Sequence, residues 1–131
     1  MSLTLKGINF ITLFTEDLQM SKNFYERVFG LTLTWGNEDS AVYKLGDIFL
    51  NILAISQADE LVTPATVAPK KAGTRLVFTI TVDNVDNMCQ ELSDLGITLV
   101  NGPMDRPWGI RTALITDPSG HLWELAHSLT G

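Results

Sequence analysis

RPWGIRTALITDPSGHLWEL, residues 106–125, is the stretch that decides the fold, because it predicts two strands joined by a tight turn. Residues 117–120 have turn chemistry: aspartate accepts hydrogen bonds within its own turn, proline fixes φ, and glycine tolerates a positive φ. A turn of four residues pairs Ala113 with Glu124 across the two strands. Since strand side chains alternate between faces, this pairing predicts that Arg111 and Glu124 share one face as diagonal neighbours.

Length and composition predict one compact domain, residues 1–131, that is large enough to bury a core. The net charge of −6 argues against binding to nucleic acid, which depends on basic contacts to phosphates. Cys89 is the single cysteine, so we expect no internal disulfide, no multi-cysteine zinc site and a cytoplasmic location. No apolar run is long enough to span a bilayer, so we expect no membrane partner.

The rest of the chain indicates an internal repeat of two β-α-β-β-β units, at about residues 7–55 and 75–128. The connector between them, about residues 56–74, carries no sustained hydrophobic period and is predicted to be irregular. A single unit of this kind cannot bury both faces of its sheet. We therefore predict the α+β class, with the repeats forming a curved mixed sheet around a cleft and the helices on the outer face.

Several positions correspond between the two repeats. Residues 10–17 match residues 77–84, and each segment ends in a residue type that caps helix N-termini. The next predicted strands are residues 31–35 in the first repeat and 97–100 in the second. The matched pairs are Phe10 with Val77, Asp17 with Asn84, Gly30 with Gly96, and Trp35 with Trp108.

Two motifs within the repeat carry a family resemblance. They are D-L-x-x-S-x-x-F-Y-x-x-x-x-G-L at residues 17–31 and D-P-S-G-H-x-W-E-L at residues 117–125. Together with the tandem units, they resemble the vicinal oxygen chelate superfamily, which includes glyoxalase I, extradiol dioxygenases, fosfomycin-resistance transferases and bleomycin-resistance proteins. The resemblance covers nearly the whole chain and is specific for the fold. It does not specify an activity, because these members share architecture and not chemistry.

The resemblance also implies where a metal would bind. Metal-using members hold a divalent ion with a residue early in the first strand of each half and a carboxylate on the last strand. Glu124 matches that carboxylate, whereas Phe10 and Val77 fall on the two positions usually filled by histidine, and a fourth ligand would fall near Leu50 or Asn51. Phenylalanine and valine donate no electron pair, so we expect no metal cofactor. A different strand alignment would reopen a divalent metal site.

Among the branches of the superfamily, the expected absence of a metal makes this chain most similar to the bleomycin-resistance-type proteins. The resemblance implies binding of a bulky molecule between two subunits without any reaction. The segment PWGIR, residues 107–111, also resembles that branch. We therefore expect a small-molecule-binding protein, of drug-sequestering type, that forms a homodimer. The predicted ligand-binding residues are Glu124, Arg111, Trp108, Phe10, Val77 and Trp35.

Two alternatives stay open. In the first, the chain is a lyase, isomerase or dioxygenase of the glyoxalase kind that uses Glu124 as a general base or as a metal ligand. In the second, the fold has a purely structural role. The single residues also have plainer interpretations: Glu124 and Arg111 can form a simple cross-strand ion pair, and Trp35 and Trp108 can pack turns or a dimer contact.

Overall fold

The computed structural model describes residues 5–130, whose strands form two four-stranded sheets of mixed direction. The chain divides between Ala68 and Pro69 into two compact units, and each unit contains one sheet. This is the predicted α+β class. That the two repeats together make one domain stays a prediction. Within the described residues, no helix is long and apolar enough to cross a membrane.

The first unit contains one β-α-β-β-β repeat followed by a second helix. Strand β1 pairs parallel with β4, β4 pairs antiparallel with β3, and β3 pairs antiparallel with β2. Its elements are β1 (Phe10–Thr15), α1 (Leu18–Arg27), β2 (Leu33–Gly36), β3 (Ser40–Leu45), β4 (Ile48–Ala54) and α2 (Ile55–Val62).

The second unit contains the same β-α-β-β-β order, without a helix after its last strand in the described part of the chain. Strand β5 pairs parallel with β8, which is followed across the sheet by antiparallel β7 and β6, so the predicted repeat is confirmed. Its elements are β5 (Phe78–Thr81), α3 (Val85–Asp94), β6 (Asn101–Asp105), β7 (Ile110–Thr116) and β8 (Leu122–Ser128).

The two predicted helix caps are confirmed. The Asp17 carboxylate accepts the Met20 N–H at 3.0 Å, and the Asn84 side-chain oxygen accepts the Asn87 N–H at 2.9 Å. Each bond satisfies a backbone donor that has no partner inside the helix. The first helix of each repeat therefore starts where the local sequence indicates.

The connector prediction was wrong at its start, because α2 (Ile55–Val62) occupies much of the segment that was predicted to be irregular. The N-cap residue of this helix is Ala54, whose side chain cannot accept a hydrogen bond, so the usual start signal is missing at this point of the sequence. Ala58 is fully buried, and packing of this kind stabilises short helices more than their propensity does. The strand expected at residues 97–100 is also displaced, because β6 begins at Asn101.

Helix α1 packs on one face of its sheet. The Tyr43 hydroxyl, on a fully buried residue of β3, donates to Glu26 Oε2 at 2.7 Å. Burial, together with this bond to a carboxylate, raises the pKa of Tyr43 well above its ordinary range. A second link joins the Thr15 and Ser21 hydroxyls at 2.7 Å between β1 and the helix. These buried polar pairs are satisfied, so they fix the helix position without the cost of an orphaned polar group.

The β7–β8 register differs by one residue from the predicted register. Leu114 pairs with Glu124, whereas the four-residue turn predicted Ala113 as its partner. The turn contains five residues, 117–121, because the Asp117 carboxylate accepts the N–H groups of both Ser119 and His121, at 3.0 and 2.9 Å. The Asp117 N–H also donates to the His121 carbonyl, which closes the longer turn. A one-residue shift moves every side chain of a strand to the other face.

A substitution at Gly102 tests the close approach of β6 to the backbone of β7. The φ of Gly102 is +85°, and an added Cβ would lie 2.6 Å from the Thr112 carbonyl oxygen and 2.9 Å from Ala113 Cα. We expect Gly102→Ala to lower the free energy of unfolding by about 2–4 kcal/mol, because backbone strain and a clash with backbone act together. Gly96→Ala is the control, since Gly96 has a φ of +80° and no atom near its Cβ position. Its expected loss is about 1–2 kcal/mol in urea denaturation, and equal losses would contradict the close approach at Gly102.

Candidate functional site

Each sheet has a face that points away from the first helix of its own unit, and we call this the distal face. In the first unit, the contacts of Thr15 and Tyr43 with α1 mark the helix face, so Thr12 and Asn51 lie on the distal face. In the second unit, His127 Nδ1 accepts the Val85 N–H of α3 at 2.8 Å and marks the helix face. Glu124, three residues earlier on β8, therefore lies on the distal face.

One cross-strand row of side chains runs over each distal face. In both rows, a threonine of the first strand lies beside a polar residue of the last strand. The first row is Thr12, Asn51, Val42 and Trp35, and the second row is Thr79, Glu124, Leu114 and Asn101.

The threonine of each row is hydrogen-bonded to the polar residue. The Thr79 hydroxyl donates to Glu124 Oε1 at 2.9 Å, which holds one carboxylate oxygen in place. At the matching position, Asn51 Nδ2 donates to the Thr12 hydroxyl at 3.4 Å. The register therefore assigns Asn51, and not Leu50, to the position equivalent to Glu124. Asn51 Oδ1 is buried and has no hydrogen-bond partner among residues 5–130, which is unusual for an amide oxygen.

The apolar residues predicted for the site keep exposed surface. On the distal face of the first unit, the Phe10 ring stacks on Phe49 with centroids 5.1 Å apart, and Trp35 is also exposed. Val77 is exposed and comes directly before β5 in the second unit. These three residues stay predicted ligand contacts.

The predicted equivalence of the two tryptophans was wrong. Trp35 lies within β2 and pairs with Val42, whereas Trp108 lies in the turn between β6 and β7. The position in the second unit that matches Trp35 is Asn101. A tryptophan followed by glycine occurs in both repeats. This pair of residues is compatible with the end of a strand and also with a turn, so the motif alone did not show that the two tryptophans occupy different settings.

Arg111 does not share a face with Glu124, so the predicted neighbourhood of these two residues was wrong. Its guanidinium forms two bonds to Asp86, at 2.8 and 3.0 Å, and one to Asp105 at 2.8 Å. These carboxylates raise the pKa of Arg111, and the hydrogen bonds from Arg111 lower the pKa of Asp86 below its ordinary range. Arg111 therefore joins α3 to the sheet on the helix face.

Arg106 is the arginine that lies on the distal face with Glu124, and the sequence interpretation missed it. Its Nε donates to the Thr112 hydroxyl at 2.9 Å, and Thr112 lies two residues from Leu114 along the distal face of β7. Arg106 is the first residue of the motif quoted at the outset. The correct turn length would have identified Arg106. A five-residue turn places Thr112, the hydrogen-bond partner of Arg106, on the same face as Glu124.

The side chains of the distal faces do not fit a divalent metal centre. Such sites use about three histidine, cysteine or carboxylate ligands. Glu124 is the single side chain of that kind in the two rows, and Phe10 and Val77 carry no donor atom. Across residues 5–130, no three histidine, cysteine, aspartate or glutamate side chains come together as a metal-binding group. That the protein works without a metal stays a prediction, and it rests on this donor chemistry.

The fold and the motif define a known class. The model of the Glyoxalase/Bleomycin resistance protein/Dioxygenase superfamily matches residues 7–125, and the chain belongs to this superfamily. This confirms the family that the sequence motifs indicated.

Individual relatives give further detail. The chain is 26% identical over 124 residues to the metallothiol transferase FosB of Lysinibacillus sphaericus, covering 93% of this chain and 82% of that protein. It is 28% identical over 121 residues to the glutathione transferase FosA of Serratia marcescens, covering 92% of this chain and 80% of that protein. A crystal structure of a glyoxalase/bleomycin resistance protein/dioxygenase from Nocardioides matches with a TM-score of 0.86 at 24% identity, covering 99% and 88% of the two chains. This last likeness concerns the fold.

Arg111→Met tests the assignment of Arg111 to the helix face. Loss of the guanidinium should raise the pKa of Asp86 toward the ordinary value of about 3.9, measured by carboxyl ¹³C NMR. Because the folded pKa of Asp86 is lowered, its contribution to stability is present above the unfolded pKa and is lost as pH falls through the folded pKa. The stability advantage of wild type over Arg111→Met should shrink in that acid range. Arg75→Met removes an exposed arginine as the control, and an unchanged Asp86 pKa in Arg111→Met would contradict the assignment.

Proposed function

We propose that this chain is a small-molecule-binding member of its superfamily that holds a ligand on the distal face of the second unit without a metal. The observation that carries the proposal is the Glu124 carboxylate, which is fixed at one oxygen by Thr79 and has an apolar neighbour in Leu114. A carboxylate beside apolar surface favours a cationic ligand, because the attraction between opposite charges is stronger where the local dielectric constant is low.

The proposed ligand is cationic and partly aromatic. Trp108 exposes 67% of its surface at the turn before β7, and a tryptophan face attracts both flat rings and cations. The superfamily name includes bleomycin-resistance proteins, and this supports a drug-sequestering role for the chain. Val77, which is exposed directly before β5, completes the proposed contacts of this unit. Phe10 and Trp35 lie on the distal face of the first unit and are proposed as ligand contacts there.

A second candidate is an enzyme of the glyoxalase kind, a lyase, isomerase or dioxygenase, in which Glu124 acts as the general base. The hydrogen bond from Thr79 occupies Oε1 and holds the carboxylate in one orientation, as a positioned base requires. The relatives FosB and FosA are named as transferases, which supports chemistry on this fold. Metal-free turnover that depends on Glu124 separates this candidate from a pure binder.

We also propose a homodimer in the cytoplasm. Large apolar side chains are exposed in both units, and a symmetric partner would remove such surface from water. A single cysteine suits a reducing compartment. The exposed residues that support the dimer are Ile8, Phe10, Trp35, Leu61, Leu76, Val77 and Trp108.

Glu124→Gln tests the binding proposal. Titration of tryptophan fluorescence with cationic aromatic compounds, including benzamidinium and bleomycin-like glycopeptides, should show saturable quenching in wild type. A charge-assisted hydrogen bond contributes about 1.5–3 kcal/mol, so Glu124→Gln should weaken binding about tenfold or more. Glu91→Gln makes the same change on an exposed residue of α3 and should bind as wild type does.

The same titration separates the alternatives. Tag-free protein should contain no stoichiometric zinc, nickel, iron or manganese by elemental analysis, and a chelator should leave binding unchanged. About one metal equivalent per chain would refute the metal-free proposal. If a ligand is converted without metal and Glu124→Gln abolishes the conversion, the enzyme candidate replaces the binder. Equal affinity of wild type and Glu124→Gln for each bound compound would exclude this face as the site.

Light scattering tests the homodimer. The purified protein should have twice the mass of one chain across micromolar concentrations, because the exposed apolar side chains favour association. The double variant Trp35→Lys with Val77→Lys places a charge on an exposed apolar position of each unit and should shift the mass toward one chain. A monomer mass for the wild-type protein would refute the dimer.

A further inference from the structure

We propose that Arg106 and Trp108 form an oxyanion-binding subsite on the distal face of the second unit, which selects ligands that carry a carboxylate or phosphate on a planar group. This inference rests on the proposed function, because it concerns the same face as Glu124. It adds a second recognition element, of opposite charge.

The position of Arg106 is fixed by its backbone and by its side chain. Its N–H donates to the Ile110 carbonyl at 2.7 Å, and its carbonyl accepts the Gly109 N–H at 3.1 Å, so both backbone groups are held in the turn. The Nε–H donates to the hydroxyl of Thr112, which is 1% exposed. Because the backbone of Arg106 is fixed in the turn and its Nε is bound to Thr112, the guanidinium loses less freedom on binding a ligand than an unanchored arginine does.

The charge of Arg106 has no partner within the described chain. Among residues 5–130, no carboxylate lies within 4.0 Å of its guanidinium, whereas the guanidinium of Arg111 contacts both Asp86 and Asp105. The chain has 15 acidic and 9 basic residues, so most arginines could find a carboxylate partner, as Arg111 does in its two bonds to Asp86. Arg106 is therefore unusual in having none among the described residues. With Nε bound to Thr112, the terminal amino groups of Arg106 remain available, and their planar geometry matches two oxygens of one anion.

Trp108 supplies the second half of the subsite. The Arg106 Cζ lies 6.0 Å from the centroid of the Trp108 ring, within the range of a cation–π contact. The ring keeps most of its surface exposed, so it offers a flat apolar surface beside the guanidinium. An anion attached to an aromatic ring can therefore contact both residues at once.

The subsite and Glu124 together define a ligand class. Thr112, which accepts the hydrogen bond from Arg106, pairs with Ala126, and Leu114 pairs with Glu124. Thr112 is therefore a diagonal neighbour of Glu124 on the same face, at about 7–8 Å. A positive group bound beside Thr112 and a negative group at Glu124 suit a zwitterion whose two charges are several bonds apart. A ligand with a cation alone would leave Arg106 unused.

Three isosteric probes test the subsite: benzoate, neutral benzamide and cationic benzamidinium. In ¹H–¹⁵N NMR titrations of the full chain, benzoate should shift the Arg106 Nε–H and Trp108 indole signals, while the Arg111 Nε–H signal stays unchanged. Benzamide should bind about tenfold more weakly or worse, because it lacks the charge that doubles such hydrogen bonds in strength. Arg106→Gln should weaken benzoate binding by a similar factor, and Trp108→Ala should also weaken it. Arg75→Gln, which removes an exposed arginine of the same unit, should not.

The outcomes separate this inference from the proposed function. The inference is overturned if benzoate leaves the Arg106 signal unchanged, or if Arg106→Gln with a wild-type amide spectrum binds benzoate as tightly as wild type. Benzamidinium binding that depends on Glu124 would then still support the proposed function. If benzoate binds through Arg106 but wild type and Glu124→Gln bind benzamidinium equally tightly, the oxyanion subsite is supported. The proposal that Glu124 binds the cationic group of the ligand is then refuted.

Discussion

The Asp117 carboxylate accepts two backbone N–H groups and contacts the His121 ring, and these bonds set the length of the β7–β8 turn. Turn length decides which side chains of β7 face α3. With one residue fewer, Ala113 and Ile115 would leave the core, and Arg111 could not reach Asp86. The core of the second unit and the chemistry of its distal face therefore depend on one nearly buried carboxylate.

Most of the fold could be predicted because its signals are local. Strand alternation, the caps at Asp17 and Asn84, and the matching of residues 10–17 with 77–84 each lie within a few residues. Helix α2 (Ile55–Val62) has no such local signal, since its stability comes from tertiary burial of Ala58. Elements stabilised by packing alone are outside what a single sequence reveals.

The candidate site was only partly predictable, because it depends on register. Glu124 was identified from the motif, and its distal-face position follows from β8 alone. Choosing between Arg106 and Arg111 required the exact turn length, and Asp-Pro-Ser-Gly fits a four-residue turn as well as part of a longer one. The hydrogen bond from the His121 N–H to the Asp117 carboxylate is the feature that the residue types did not indicate.

The matched pairs Thr12–Asn51 and Thr79–Glu124 give the two repeats a different charge at the same structural position. Asparagine and aspartate codons differ by one base, so a single mutation at position 51 can place a carboxylate beside the Thr12 hydroxyl, which is ready to donate to it. Charge on the distal face of one repeat can thus be gained or lost in one step while the other repeat stays unchanged. The repeated fold therefore allows one unit to change the charge of the ligands it accepts without a change in its backbone.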